Sequence, residues 1–386
     1  MGNLPHIVCE LINIIQSLDD GEKKFRKAIE TAKNPDTGAP ETLREFGIET
    51  LEDYYKYLTG FLRWVPHENS DGREVHIRMC VMYFILDQPS VYHYQTPRNL
   101  TTTKYTRGEL SEISQWIVAF AQDQGAFLDE PHSINDHTLR TFAAVTGDRS
   151  FRLDDYVRPT NGWKSFNDFF TRKVKPGKRP ISDPTNEKVV ASPADCRFWS
   201  MEHITEKEGL YLGETDVKGI SWPIKDLLSS TGFEGAFKNG SLVTTILAVF
   251  DYHRFHSPVA GEVLESKVIP TQAFFEVKGD GKRLAPIGRP RHPGYPFCQT
   301  RGVVVLKTKS YGLVAFIPVG MGQISSVVLN VDVGFKLQKG EEIGYFQFGG
   351  SAILLVFEEK SGFKPTESVQ RVKDKYDMGQ QLGTFG

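Results

Sequence analysis

Three kinds of side chain that can share a proton-transfer task stand in distinctive settings along this chain. Ser351 follows two glycines in the run Gly344 to Phe357, G-Y-F-Q-F-G-G-S-A-I-L-L-V-F. A serine hydroxyl is a weak nucleophile until a base takes its proton. His253 and His256 stand three apart in D-Y-H-R-F-H-S-P-V-A-G, Asp251 to Gly261. An imidazole works as acid or base near neutral pH when something orients it. Asp195 closes S-P-A-D, Ser192 to Asp195, and is a candidate carboxylate. Two histidines three apart could hold a metal on a helix, but Pro258 and Gly261 point to strand and turn. No H-E-x-x-H pattern or cysteine partner accompanies them, so no metal is expected. Each residue also has a plain structural reading, with Asp195 in a turn, His256 in the core and Ser351 in a β-hairpin. Chain order alone does not bring them together.

The elements that must carry these residues differ between the two parts of the chain. Residues 1–155 read as mostly helical. Thr50, Glu52 and Asp53 suggest a capping box ahead of Leu51, Tyr54, Tyr55, Leu58 and Leu62 at helical spacing. Ile113, Trp116, Ile117 and Phe120 repeat at i, i+3, i+4 and i+7, which predicts a helix over 111–124 with Gly125 as its C-terminal cap. Val75 to Leu86 is apolar and fits helix or strand. Pro, Gly and basic residues gather at Arg158 to Pro180, and the boundary is placed near residue 155. Beyond it, short apolar runs separated by Gly and Pro predict strands, with one short helix at Ile224 to Ser230. The fold class expected is α+β, a helical N-terminal domain followed by an antiparallel β-sandwich or barrel-like domain over 156–386. Gly349 and Gly350 are placed in the turn of a hairpin that joins the strands on either side of Ser351. Thr271 to Thr300, with Lys282, Arg283, Arg289 and Arg291, reads as a long surface loop that either is simply solvated or serves as a lid.

Composition narrows the class. At 386 residues the chain can form two domains, and its 39% apolar and 24% charged content is that of an ordinary globular protein. A net charge of -2 gives no electrostatic reason to expect a nucleic-acid partner. The longest apolar-rich runs, such as Leu242 to Phe250, fall short of the ~20 residues a bilayer needs. Met1 to His6 lacks a targeting pattern, and His6 stands where myristoylation calls for Ser or Thr. Cys9, Cys80, Cys196 and Cys298 are widely separated, so a soluble, reducing, cytoplasmic setting is expected.

Several segments, in order, resemble the phosphatidylserine decarboxylase family. They are F-N-D-F-F-T-R-K-V-K-P-G-K-R-P-I (166–181), S-P-A-D (192–195), Y-H-R-F-H-S-P-V-A-G (252–261), P-V-G-M-G-Q-I (318–324), K-G-E-E-I-G-Y-F-Q-F-G-G-S (339–351) and M-G-Q-Q-L-G (378–383). They span about residues 160 to 386, and Y-H-R-x-H with G-G-S is highly specific. The N-terminal region resembles the helical extension of a fungal branch that includes the tryptophan decarboxylase of psilocybin synthesis.

The resemblance implies a self-processing proenzyme. The Ser351 oxygen attacks the Gly350 carbonyl, an N-to-O acyl shift gives an ester, and β-elimination leaves a dehydroalanine that hydrolyses to a pyruvoyl group. The chain is then cut between Gly350 and Ser351 into a β chain (1–350) and an α chain (351–386). His256 is implied as the base, Asp195 as the group that fixes its tautomer, and His253 as the proton donor to the substrate carbanion. The pyruvoyl carbonyl forms an imine with a substrate α-amine and draws electrons as carbon dioxide leaves, so no pyridoxal phosphate is called for. A homodimer is what the family suggests. Ala352, Cys196 and Gln299-Thr300-Arg301 depart from the family pattern and bear on processing rate and substrate choice. The first substrate expected is a soluble L-amino acid, aromatic ones included. The alternative is phosphatidylserine, reached by peripheral contact with a membrane. A third reading is an uncut, non-catalytic binding module, which would keep its full mass.

Overall fold

The computed structural model describes residues 4–97, 110–204, 209–211, 221–229, 231–284, 298–322, 326–348, 350–366 and 375–386. The expectations resting on Met1 to Asn3, Arg289, Arg291 and Gly349 lie outside these residues.

The N-terminal part is helical, with α1 (His6–Ser17), α2 (Gly21–Ala32), α3 (Pro40–Glu45), α4 (Leu51–Leu62), α5 (Glu74–Leu86), α6 (Glu112–Leu128) and α7 (Asp136–Ala144). The Thr50 hydroxyl accepts the Asp53 amide while the Asp53 carboxylate accepts the Thr50 amide, so α4 begins with the expected capping box. The ambiguous run at 75–86 is α5, buried on nearly every side. Helix α6 starts at the expected cap, Ser111, but runs through Gly125 to Leu128. Phe127 and Leu128 extend its buried face. Their burial outweighs the ~1 kcal/mol that glycine costs inside a helix.

Two short helices follow, α8 (Phe166–Phe170) and α9 (Ile224–Leu228). The first strands are β1 (Val189–Ala191), β2 (Cys196–His203), β3 (Gly209–Tyr211), β4 (Ser221–Pro223), β5 (Ser241–Leu247), β6 (Arg254–His256), β7 (Gly261–Ile269) and β8 (Arg301–Lys307). The remainder are β9 (Leu313–Met321), β10 (Val327–Leu329), β11 (Lys336–Leu337), β12 (Glu342–Phe346), β13 (Gly350–Phe357), β14 (Lys364–Pro365), β15 (Lys375–Tyr376) and β16 (Gln381–Thr384). Eight form one antiparallel sheet in the order β11-β7-β8-β9-β13-β5-β2-β15, which among the described residues does not close on itself. Two three-stranded sheets, β10-β12-β6 and β1-β16-β14, and the ribbon β3-β4 account for the other strands among the described residues. The arrangement is α+β, as expected.

The central strands β8, β9 and β13 are buried on both faces, which is why they read as continuous apolar runs. Ala352, Leu354 and Val356 of β13 join a core shared with the N-terminal helices. Ile353, Leu355 and Phe357 face a second core built with the small sheets, including Phe255, Phe346 and Leu382.

Two expectations change here. The strands flanking Ser351 are not a hairpin, because β12 pairs with β10 and β6 whereas β13 pairs with β5 and β9. The chain therefore crosses from one sheet to another just before Ser351. Nor is 271–284 a surface loop, since Gln272, Ala273, Phe274, Phe275 and Val277 are buried. Phe275 meets Tyr83 and His76 of α5 edge-on, at 5.9 and 6.1 Å. Adjacent aromatic side chains supply the apolar area that anchors this segment on the helices. Arg301 is buried as well and donates to the Asp226 and Leu227 carbonyls at 2.7 Å, satisfying the end of α9. No helix among the described residues is long and apolar enough to cross a membrane.

Candidate active site

Strand β13 places Ser351 opposite Leu247 of β5 and Gly320 of β9, at the point where the strand enters the large sheet. The side chain is fully buried, and its hydroxyl has no hydrogen-bond partner among the described residues. A buried hydroxyl left unpaired costs roughly 1–3 kcal/mol, which a merely structural serine would not retain without reason. The segment entering Ser351 is held from outside. The Phe348 amide donates to Asn167 Oδ1 at 3.2 Å. Asn167 Nδ2 in turn donates to Asp129 Oδ1 at 2.9 Å and to the Gly125 carbonyl at 3.4 Å. Asn167 sits in α8 because Ser165 caps that helix, its hydroxyl accepting the Asp168 amide.

His253 lies in the connection between β5 and β6. Its ring packs on Phe170 at 4.0 Å between centroids, and Phe170 packs on Phe348 at 5.7 Å. The His253 carbonyl also accepts the Phe346 amide at 2.9 Å, so His253 lies directly against the strand that leads to Ser351. His253 Nδ1 is 3.0 Å from the Asp251 carbonyl, which can only accept, so Nδ1 carries the proton in the neutral ring. The Asp251 carboxyl is pushed up by burial and is paired with Lys375 at 2.9 Å.

His256 closes β6. Its Nδ1 donates to the Gly340 carbonyl at 2.8 Å, leaving Nε2 to accept the Tyr252 hydroxyl at 3.0 Å. Burial holds its pKa below the ordinary value of 6.5, against the opposing pull of the Gly340 carbonyl, Glu342 and Asp195. The Gly340 carbonyl thus holds the Nδ1 proton, the position that the family resemblance implied for Asp195.

Asp195 is engaged elsewhere. Arg179 grips it with Nε and Nη2, both at 2.8 Å, Arg152 Nη2 bonds to Oδ2, and the Met378 amide donates to Oδ1 at 2.9 Å. Arg152 also binds Asp377 through two contacts of 3.0 and 2.8 Å. No hydrogen bond joins Asp195 to His256, or either of them to Ser351, among the described contacts. Tyr252 and Tyr156, 6.0 Å apart, belong to the cluster beside His256. With both carboxylate oxygens occupied by buried donors, Asp195→Asn in a Ser351→Ala background should lower the stability of the uncut chain by about 3 kcal/mol or more. Urea unfolding checks this, and an unchanged midpoint would show that the network contributes nothing.

The arrangement offers a buried hydroxyl behind a glycine, at a corner between sheets, with two histidines whose Nδ1 protons are fixed by carbonyls. Asn167, Arg179 and Tyr252 lie inside segments already singled out in the sequence, but their roles were not read there. Arg152 carries no sequence signal at all, and it adopts a left-handed backbone with φ 45°.

Comparison with known proteins finds that residues 166–384 match the family model described as phosphatidylserine decarboxylase. The chain is 30% identical to phosphatidylserine decarboxylase proenzyme 3 of Schizosaccharomyces pombe, over 72% of this chain and 27% of that one. It is 31% identical to the phosphatidylserine decarboxylase proenzyme of Fusobacterium nucleatum, over 60% of this chain and 73% of that one. With the protein of the same name from Ruminiclostridium cellulolyticum the identity is 31%, over 67% and 81%. The chain spans only between 26% and 37% of the length of the curated fungal and plant relatives.

Proposed function

The chain belongs to the phosphatidylserine decarboxylase family, and from that premise we propose that it is a self-processing, pyruvoyl-dependent carboxy-lyase acting on a substrate with an α-amino carboxylate. The observation that carries this reading is the buried, partnerless hydroxyl of Ser351 directly after Gly350. That hydroxyl is where the family's group must be generated, and its lack of a structural partner fits a reactive task.

In this reading Ser351 Oγ attacks the Gly350 carbonyl carbon and the peptide nitrogen leaves, giving an ester. His256 takes the serine proton on Nε2, once Tyr252 has released that lone pair. Elimination of the Gly350 carboxylate leaves dehydroalanine, and hydrolysis releases ammonia and leaves the pyruvoyl group on the 351–386 chain. The cut divides residues 1–350 from 351–386, within a chain organised as a helical part up to about residue 155 and a catalytic part beyond it. The pyruvoyl group supplies the electron sink that lets the substrate carboxylate depart as carbon dioxide. His253, its Nδ1 proton held by the Asp251 carbonyl, returns a proton to the substrate α-carbon from Nε2, which it does in the protonated, imidazolium form. Asp195 contributes through its charge near His256 and by anchoring Met378. No step calls for a metal or for pyridoxal phosphate.

The relatives' names favour the serine head group of phosphatidylserine as substrate. A second reading, a free L-amino acid, rests on a cleft between α6 and the end of the large sheet, to whose lining Val118, Leu128 and Phe348 contribute apolar surface. Carbon dioxide release from phosphatidylserine vesicles and from free amino acids tests both. Release from neither by a cut, folded chain would overturn the decarboxylase reading.

The lowered pKa of His256 gives a signed pH dependence. A base works only unprotonated, and a pKa below 6.5 keeps it so through the ordinary histidine range. The first-order rate of self-cleavage, followed on freshly translated chain, should fall as the pH is lowered, with the midpoint of the fall lying below pH 6.5. A midpoint above 6.5 would exclude His256 in this environment as the base.

A further inference from the structure

Two features fix the place of the His253 ring, the Phe170 ring on which it packs and the Asp251 carbonyl that holds its Nδ1 proton. That carbonyl belongs to a closed turn between β5 and β6. The Asp251 amide donates to the Ala248 carbonyl at 3.0 Å, and the Ala248 amide donates to Asp251 Oδ2 at 2.8 Å. Arg172, two residues after Phe170, reaches both features. Its Nη2 donates to the Phe250 and Asp251 carbonyls at 3.0 and 3.1 Å, and its Nη1 donates to the Phe170 carbonyl at 3.4 Å. His253 Nδ1 and Arg172 Nη2 therefore share one oxygen, which keeps the two nitrogens within about 6 Å of each other.

Arg172 is itself held firmly. It is fully buried, and its guanidinium lies over the rings of Tyr156, Phe169 and Phe151, at 4.3, 5.4 and 5.8 Å from their centroids. Rings on its face and carbonyls at its edge give the planar fork a set orientation. A guanidinium keeps its charge in a protein, so a fixed cation stands beside the imidazole. Other charges around the turn are paired, Asp251 with Lys375 at 2.9 Å, Arg254 with Glu342 at 2.8 Å and Asp195 with Arg179 at 2.8 Å. The described hydrogen bonds of Arg172 all go to carbonyls instead.

We propose that Arg172 is the positioning residue for His253 and sets how readily that ring gives up its proton. This rests on the reading of His253 as the proton donor of a decarboxylase. By pinning the Asp251 carbonyl, Arg172 fixes the nitrogen that keeps its proton and so aims Nε2 at the substrate. By its charge it disfavours the second proton on the ring, which makes the imidazolium a stronger acid. The Nε2–H bond breaks as a C–H bond forms at the substrate α-carbon, and the electron pair stays on Nε2.

The first test needs no turnover. In uncut Ser351→Ala chain the His253 ring is titrated by side-chain NMR, with His253→Gln assigning its signal. Adding Arg172→Gln removes the cation and should raise the His253 midpoint by about one pH unit. In the cut enzyme, with Ser351 intact, the same substitution should move the alkaline limb of kcat upward in pH, because the rate falls as pH rises through that midpoint. Below the limb kcat should fall about tenfold or more with KM little changed, read on phosphatidylserine vesicles or on a free amino acid that the wild type decarboxylates. A purely structural arginine would alter the folded fraction and leave the midpoint in place.

Arg172→Lys is the second variant should Arg172→Gln not fold. It loses the planar fork, so the folded, cut chain should lose about tenfold in kcat. An unmoved midpoint in folded Arg172→Gln chain, or wild-type kcat in folded, cut Arg172→Lys chain, would overturn the inference. A wild-type chain that is never cut would instead defeat the decarboxylase reading, and intact mass separates the two failures.

Discussion

Ser351→Ala is expected to leave a single chain of 43.5 kDa that releases no carbon dioxide. The wild type, sampled in parallel, should give two pieces ending at Gly350 and beginning at residue 351. The loss should be complete within detection, since the variant can form neither the ester nor the carbonyl that follows from it, and losing a covalent nucleophile alone costs some 10⁶-fold in other enzymes. The variant is also a clean one. Ser351 is fully buried and its hydroxyl has no described partner, so removing that oxygen breaks no hydrogen bond and lifts the penalty of an unpaired polar group. Urea unfolding should show stability equal to the uncut wild type or higher. Intact mass and the unfolding midpoint together separate a chemical defect from a folding one. A Ser351→Ala chain that is still cut at Gly350 would move the nucleophile elsewhere.

The second large effect is the opposite pairing of outcomes. His253→Ala should be cut at the wild-type position yet decarboxylate about 10²- to 10⁴-fold more slowly, the usual contribution of a positioned acid or base. The geometry supports this division of labour. His256 belongs to the small sheet, with one nitrogen on the Gly340 carbonyl and the other on Tyr252. His253 packs instead on Phe170, beside the segment that leads into Ser351. Deleting a buried ring also opens a cavity, so a stability loss of about 2–4 kcal/mol is expected alongside. Turnover is therefore measured on the folded fraction and normalised to the amount of cut chain. If folded His253→Ala remained uncut, the two histidines would have exchanged roles.

What could be read from the chain before folding follows the range of the forces involved. The α4 cap and the α6 stripe were legible because Thr50 with Asp53, and Ile113 with Trp116, Ile117 and Phe120, interact within a turn or two. The central strand runs were legible because both faces of β8, β9 and β13 are apolar. Strand partnership was not. Nothing local distinguishes a hairpin at Gly349 and Gly350 from a crossing between sheets, since the choice depends on β5, β6, β9 and β10. Gly125 looked like a stop signal because its cost is local, whereas the burial that carries α6 past it is tertiary. At the site, Ser351 and both histidines could be picked out by type, spacing and resemblance. Their immediate partners could not, because Gly340 lies 84 positions from His256 and Arg152 lies 43 from Asp195. A carbonyl, moreover, has no residue type to recognise.

The crossing between sheets sets the order of events in this protein's life. A cut at Gly350 would free two ends that were never paired with each other, β12 being retained by β10 and β6 and β13 lying between β5 and β9. Neither end would have reason to fray, and the broken covalent tether would be replaced by strand pairing along the whole of β13. The reverse path is closed by topology. A separated 351–386 piece would have to thread back between two strands that meanwhile could pair with each other, against the entropy of bringing two molecules together. Folding would come first and cutting second. Once denatured, the mature pair would not reassemble, so its persistence would be a property of rate rather than of equilibrium.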